Sequence, residues 1–160
     1  MSNAFLKAVP LTKQAFAPFG EVIETDGLNP MIINQGFAKR FNTLAYVDVS
    51  DEGGLVNISI VTATPRPKPI VIKLMERHPL GSQIFFPLQD EEWLVLVCTD
   101  PKIETSYRLF QATGLQGINY RKNAWHHPLL VQGNNRFIVV DRRGPGNNLE
   151  EMQLEYFLTL

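Results

Sequence analysis

All three histidines of this chain fall in two short segments, Glu76-Arg77-His78-Pro79-Leu80-Gly81-Ser82-Gln83 and Trp125-His126-His127-Pro128-Leu129. Imidazole titrates near neutral pH and binds metal ions, so it is the side chain best suited to proton transfer or ligation. A carboxylate, Glu76, and an amide, Gln83, accompany it, and Gly117-Ile118-Asn119-Tyr120 runs just ahead of the second segment. Both segments sit in stretches with strand character, so two remote strands are expected to bring Glu76, His78 and one later histidine to a single site.

Alternate residues of an extended chain share a face, which groups Ile70, Ile72, Leu74, Glu76 and His78. Three apolar positions followed by a carboxylate and an imidazole describe a barrel wall that passes from packed interior to polar mouth. Gln83 opens the next strand beyond the turn Pro79-Leu80-Gly81 and is placed to face back toward His78. Arg77 has the opposite parity and should point away. His126 and His127 alternate, so one is expected in the cavity and the other in local packing or at a subunit contact.

The elements that must hold these residues are mostly strands. Twelve β-rich runs are expected, at 21–24, 31–34, 44–49, 55–62, 70–77, 82–87, 93–98, 106–112, 117–120, 129–131, 137–141 and 152–158. One helix is expected over 13–19, with Thr12 as its N-cap and Gly20 as its stop. So many short runs in 160 residues indicate an all-β sandwich or barrel with a few short helices, in one domain spanning residues 1–160. Pro65, Pro67 and Pro69 mark a stiff connector. Asp141 and Arg142, at a strand end, are expected to form a structural pair, and the turn-rich 141–148 lacks the context of a phosphate-binding loop.

An apolar fraction of 44% with 19% charged residues describes a globular chain. Net charge is −1, with no run of Lys or Arg, which argues against a nucleic-acid or anionic-membrane partner. No apolar stretch approaches the roughly 20 residues of a membrane span, and no secretory pattern opens the chain. The single Cys98 lies in the apolar run Trp93-Leu94-Val95-Leu96-Val97-Cys98, as a buried thiol would. A cytoplasmic protein is expected.

Glu76-x-His78-x4-Gln83 resembles the first motif of the cupin barrels, with Glu replacing the first His and Gln replacing the Glu. Asn123-Ala124-Trp125-His126 is similar to the end of their second motif, which nominates His126 over His127. The series then widens. Pro10-Leu11-Thr12 with Phe19-Gly20 comes first, followed by Ile33-Asn34-Gln35-Gly36 with Arg40-Phe41, the two long histidine segments, and Val140-Asp141-Arg142. In this order the chain resembles the ureidoglycolate lyase family, whose members convert ureidoglycolate to glyoxylate and urea. The resemblance implies a cupin-like double-stranded β-barrel (jelly roll) and a homodimer; the residues themselves suit either a weakly held divalent metal, nickel or manganese, on Glu76, His78, Gln83 and His126, or a metal-free acid–base site. The resemblance implies no organic cofactor.

Ureidoglycolate carries a hydroxyl, a carboxylate and the urea nitrogen on one carbon. Its cleavage needs a base for the hydroxyl proton, an acid for the departing nitrogen and a cationic hold on the carboxylate. His78 or His126 is the expected base; Glu76 is expected to orient that imidazole or, if burial raises its pKa, to act as the acid. Tyr120 is a further expected donor, and Gln83 matches an amide-like urea as donor and acceptor. Arg40 is the expected carboxylate partner; Asn34 either bonds substrate or shapes the turn before Gly36, and Ser59 is a further pocket candidate. Two other functions fit the residues: an amidohydrolase releasing ammonia from the same substrate, and a non-catalytic cupin that binds a small carboxylic acid.

Overall fold

The computed structural model describes residues 4–160. In chain order its strands are β1 (Ala4–Phe5), β2 (Val9–Pro10), β3 (Gly20–Ile23), β4 (Met31–Ile33), β5 (Ala38–Arg40), β6 (Leu55–Ala63), β7 (Val71–Arg77) and β8 (Gln83–Pro87). There follow β9 (Trp93–Cys98), β10 (Tyr107–Ala112), β11 (Gly117–Tyr120), β12 (Trp125–His126), β13 (Leu130–Val131), β14 (Asn135–Arg143) and β15 (Glu150–Thr159). One sheet runs β1-β15-β7-β12-β9-β10-β2, with β13 also on β9; a second runs β3-β11-β8-β14-β6; β4 and β5 form a separate hairpin. The core lies between the two large sheets, where Trp93, Val95, Val97 and Phe110 of the first meet Ile118, Phe137 and Val139 of the second. This is an all-β architecture of two facing sheets with short helices.

Period-two alternation explains most of it. Along β9, Trp93, Val95 and Val97 enter the barrel core, while Leu96 and Cys98 join a second cluster on the other side of that sheet with Ile70, Ile72, Met75, Leu109 and Leu158. Burial pushes the Cys98 thiol up to about 12, which keeps it protonated and unreactive.

Four expectations need correction. The helix α1 spans only Lys13–Phe16, capped by the Thr12 hydroxyl accepting from the Ala15 amide at 3.1 Å. Pro18 has no N–H to continue the ladder, and the chain closes instead with a tighter bond from Phe19 N to Phe16 O at 2.8 Å. Residues 44–49 form no strand. They cross the second sheet as irregular chain whose backbone is satisfied singly: Asp48 exchanges two 2.8 Å bonds with Ser82, and the Tyr46 carbonyl accepts from Asn119 Nδ2 at 2.8 Å. Ile70 and Ile72 do not share the face of Glu76. They pack with Met75 in the outer cluster, where the β7–β15 ladder is irregular: β15 inserts extra residues between Gln153 and Leu158, opposite Leu74 and Ile72. Finally, β1, β2, β5 and β12 are too short to leave a pattern in the sequence.

Among the described residues, no helix is long and apolar enough to cross a membrane.

Candidate active site

The paired strands β7 and β12 set His126 directly opposite Glu76, and β12 in turn lies on Val97 of β9. Their side chains therefore enter the barrel on one face. His78 follows the end of β7 and comes back to the same point. His126 Nε2 is 3.5 Å and His78 Nε2 4.0 Å from Glu76 Oε1, the two rings are 5.2 Å apart, and the three ligand atoms lie within 4.8 Å of one another. The Tyr120 ring stacks on His126 at 4.0 Å with a 13° interplanar angle, fixing the imidazole plane.

Hydrogen bonding sets the tautomers. His78 Nδ1 lies 2.8 Å from the Asn148 carbonyl and His126 Nδ1 2.8 Å from the Ala124 carbonyl. A carbonyl only accepts, so both Nδ1 atoms carry the hydrogen and both Nε2 atoms offer lone pairs when the rings are neutral. Both Nε2 atoms are buried without a hydrogen-bond partner, the Glu76 contact being too long to satisfy His126. Burial, followed by the facing His126, holds His78 below its ordinary pKa, so it is neutral at pH 7.

For Glu76, burial alone would raise the pKa, but His126 and His78 outweigh it and hold the carboxyl below its usual range. That corrects the expectation of Glu76 as a proton donor: it is an anion. Burial, with the nearby Glu76 charge, pushes the Tyr120 hydroxyl up, so it keeps its proton.

Gln83 sits opposite Tyr120 on the neighbouring strand. Its Nε2 donates to Asp141 Oδ2 at 3.3 Å, Asp141 Oδ1 accepts from Asn57 Nδ2 at 2.9 Å, and Gln83 Oε1 is buried without a hydrogen-bond partner. Ser59 shares the inward face of β6 with Asn57 and pairs with Val139. Asn34 and Arg40 lie elsewhere, both exposed on the β4–β5 hairpin. Asn34 has φ +52° at the hairpin tip, where its carbonyl accepts from Phe37 N at 3.0 Å, so its backbone shapes the turn.

The expected Asp141–Arg142 pair does not form, because neighbours on β14 face opposite ways. Asp141 turns inward, while Arg142 donates to the carbonyls of Asp51 and Pro145 at 2.8 and 2.7 Å. Arg77 points outward, bonded to Glu150 at 2.6 Å and lying 4.6 Å over Trp125. His127 turns away from the site to the Pro128 carbonyl, 2.6 Å off. Asp141, Asn57 and the Asn148 and Ala124 carbonyls were not anticipated as supports; only Asp141 left a signal, its alternation with the core residues Phe137 and Val139.

Chemically, two imidazole nitrogens and a carboxylate converge, and the facing sheet carries a buried amide oxygen, Gln83 Oε1, without a hydrogen-bond partner. Nitrogen and oxygen donors of this kind suit first-row divalent metals, and buried lone pairs with no hydrogen of their own are what a shared cation satisfies. The residues present therefore fit a metal site on Glu76, His78 and His126.

A family model described as ureidoglycolate lyase matches residues 3–160. A Rhizobium meliloti protein named ureidoglycolate lyase 1 is 51% identical over 152 residues, covering 94% of this chain and 89% of that one. A Burkholderia mallei protein named ureidoglycolate lyase is 47% identical over 157 residues, covering 97% and 92%. Among solved structures, a Bacillus subtilis oxalate decarboxylase matches with a TM-score of 0.40 and 12% identity, covering 68% of this chain and 27% of that one.

Proposed function

Because this chain belongs to the ureidoglycolate lyase family, we propose that it cleaves ureidoglycolate to glyoxylate and urea by acid–base elimination, as one cytoplasmic domain over residues 1–160. The observation that carries this reading is the convergence of Glu76, His78 and His126 with both Nε2 lone pairs turned inward.

The chemistry follows from those lone pairs. An Nε2 lone pair, of His126 or His78, takes the hydroxyl proton as the carbonyl forms, and anionic Glu76 stabilises the imidazolium that results. Tyr120 retains a proton to give to the departing urea nitrogen. Gln83 and the inward-facing Ser59 hold the urea end. In the alternative, a divalent ion, nickel or manganese, held by Glu76, His78, Gln83 and His126 would occupy those lone pairs and would itself polarise the hydroxyl and anchor the carboxylate in place of an imidazole base. No organic cofactor is needed for this elimination.

Product analysis tests the assignment. Purified protein given ureidoglycolate should release urea and glyoxylate in equal amounts. Stoichiometric ammonia without urea would replace this reading with the amidohydrolase, and binding of glyoxylate with no turnover would replace it with the non-catalytic cupin.

We also place the protein in solution as a homodimer that joins through the outer face of the second sheet. There Ile60, Ile138 and Phe86 form one cross-strand row, and Ile58, Val140 and Ile84 the next. Ile58 is 71% and Ile60 59% exposed, and β6 ends the sheet with an unpaired edge among the described residues. An apolar patch beside an open edge favours a two-fold contact that buries both. Ile58→Glu should therefore sediment as a monomer under conditions where the parent is a dimer; an unchanged dimer would place the contact elsewhere.

A further inference from the structure

Gln83 has two ends, and only one of them can face the active site as an acceptor. A primary amide offers NH2 or oxygen depending on a rotation of its last torsion, and the choice is made by its neighbours. Asp141 makes that choice here. An ionised carboxylate only accepts, so the Gln83 group 3.3 Å from Asp141 Oδ2 must be the NH2, which turns Oε1 away from Asp141. Asp141 is itself fixed by Asn57 Nδ2 at 2.9 Å, across the β6–β14 pair that aligns the two residues.

We infer that Asp141 is a positioning residue: it locks the Gln83 amide with its oxygen toward Glu76, His78 and His126, so that these four side chains present acceptors alone. The inference rests on the reading of these residues as the active site and adds to it the device that sets their polarity. Gln83 Oε1 is buried without a hydrogen-bond partner, as are both histidine Nε2 atoms. In a barrel interior such atoms are costly alone and are satisfied by one cation or by a ligand rich in N–H groups. An amide free to flip would present NH2 to the same point and repel a cation. Supports of this kind typically change metal affinity by about 10–100-fold when removed.

The test uses the full chain with Asp141→Asn and the double variant Asp141→Asn with Gln83→Glu. In the single variant, Asn57 and Gln83 bring two NH2 groups to one amide oxygen, so Gln83 loses its fixed orientation. In the double variant the polarity is reversed: the introduced asparagine donates to the introduced glutamate, whose second oxygen still faces the site. The Gln83 side-chain NH2 resonances in 15N-labelled metal-free protein should shift in the single variant. Mn2+ affinity, read by calorimetry, should fall at least about tenfold there and return to within about threefold of the parent in the double variant. Unchanged resonances, or equal Mn2+ affinity in parent and single variant, would overturn the inference. A parent that binds no Mn2+ while its Gln83 resonances still respond to Asp141→Asn would remove the metal and leave the orientation standing. Were the single variant to unfold, the double variant decides: restored folding and Mn2+ binding support the lock, and loss of both overturns it.

Discussion

His126→Ala is expected to lower kcat/KM for ureidoglycolate by about 10³-fold or more, with cooperative urea unfolding retained. The residue combines two contributions that substitution removes together. Its Nε2 lone pair, aimed by the bond from Nδ1 to the Ala124 carbonyl, is a proton acceptor 3.5 Å from Glu76. A positioned base alone is worth about 10²–10⁴-fold. In a metal-loaded site that same lone pair would be a ligand in place of a base, and the ring is the one against which Tyr120 stacks at 4.0 Å. Loss of that stack leaves Tyr120 less well placed as a donor, so the effect should exceed that of a simple base. His127→Ala serves as the comparison, since its ring turns out of the site; it should keep kcat/KM within about threefold when assayed at pH 7.5, where the fold is intact. Steady-state assays of urea release give both numbers. A loss of less than tenfold in His126→Ala would take the base role from His126 and leave His78 as the residue to test next.

Much of this site was legible in the sequence for a definite reason. Alternation makes neighbouring strand residues face opposite ways, so the separation of His126 from His127, and of Arg77 from Glu76, followed from parity once the strands were placed. The segment after Gly81 could be read as strand for the same reason, and with it the position of Gln83. What parity does not carry is the behaviour of a bulge or of a loop. Ile70 and Ile72 join the outer cluster where the β7–β15 ladder is irregular, and no spacing in either strand announces that irregularity. The chain at 44–49 has the composition of a strand, yet side chains of Ser82, Glu21 and Asn119 occupy its bonding groups or neighbours before a ladder can form. The supports of the site were hidden by distance. Asp141 lies 58 residues from Gln83 and Asn148 lies 70 from His78, and each is joined only when the second sheet and the loop before β15 close over the first. Asp141 was read with Arg142 because they are adjacent, although strand alternation forbids that contact.

The opposite parity that excludes His127 from the site gives it a different role, visible as a pH dependence of stability. Its ring is buried, with only 5% of the residue exposed. Burial, against a partial offset from the Pro128 carbonyl and with a further push from Arg66, lowers its pKa to about 4. In the unfolded chain the same imidazole titrates near 6.5. Between those values the unfolded state binds the proton and the folded state does not, so folding stability rises with pH across the window. The stabilising contribution is complete above about pH 6.5 and is lost as the pH falls toward 4. At pH 4.5 the loss is about 2–3 kcal/mol, from a shift of some two and a half units at roughly 1.36 kcal/mol each. His127→Gln removes the titration while keeping a polar side chain of similar reach to the Pro128 carbonyl. The expected result is that urea unfolding of the parent loses about 2–3 kcal/mol more than His127→Gln between pH 7.5 and pH 4.5, with the acidic groups and His78 common to both proteins cancelling in the difference. Parallel pH profiles for the two proteins would show that the buried ring takes up its proton without unfolding, and that the segment carrying both histidines can open locally while the barrel holds.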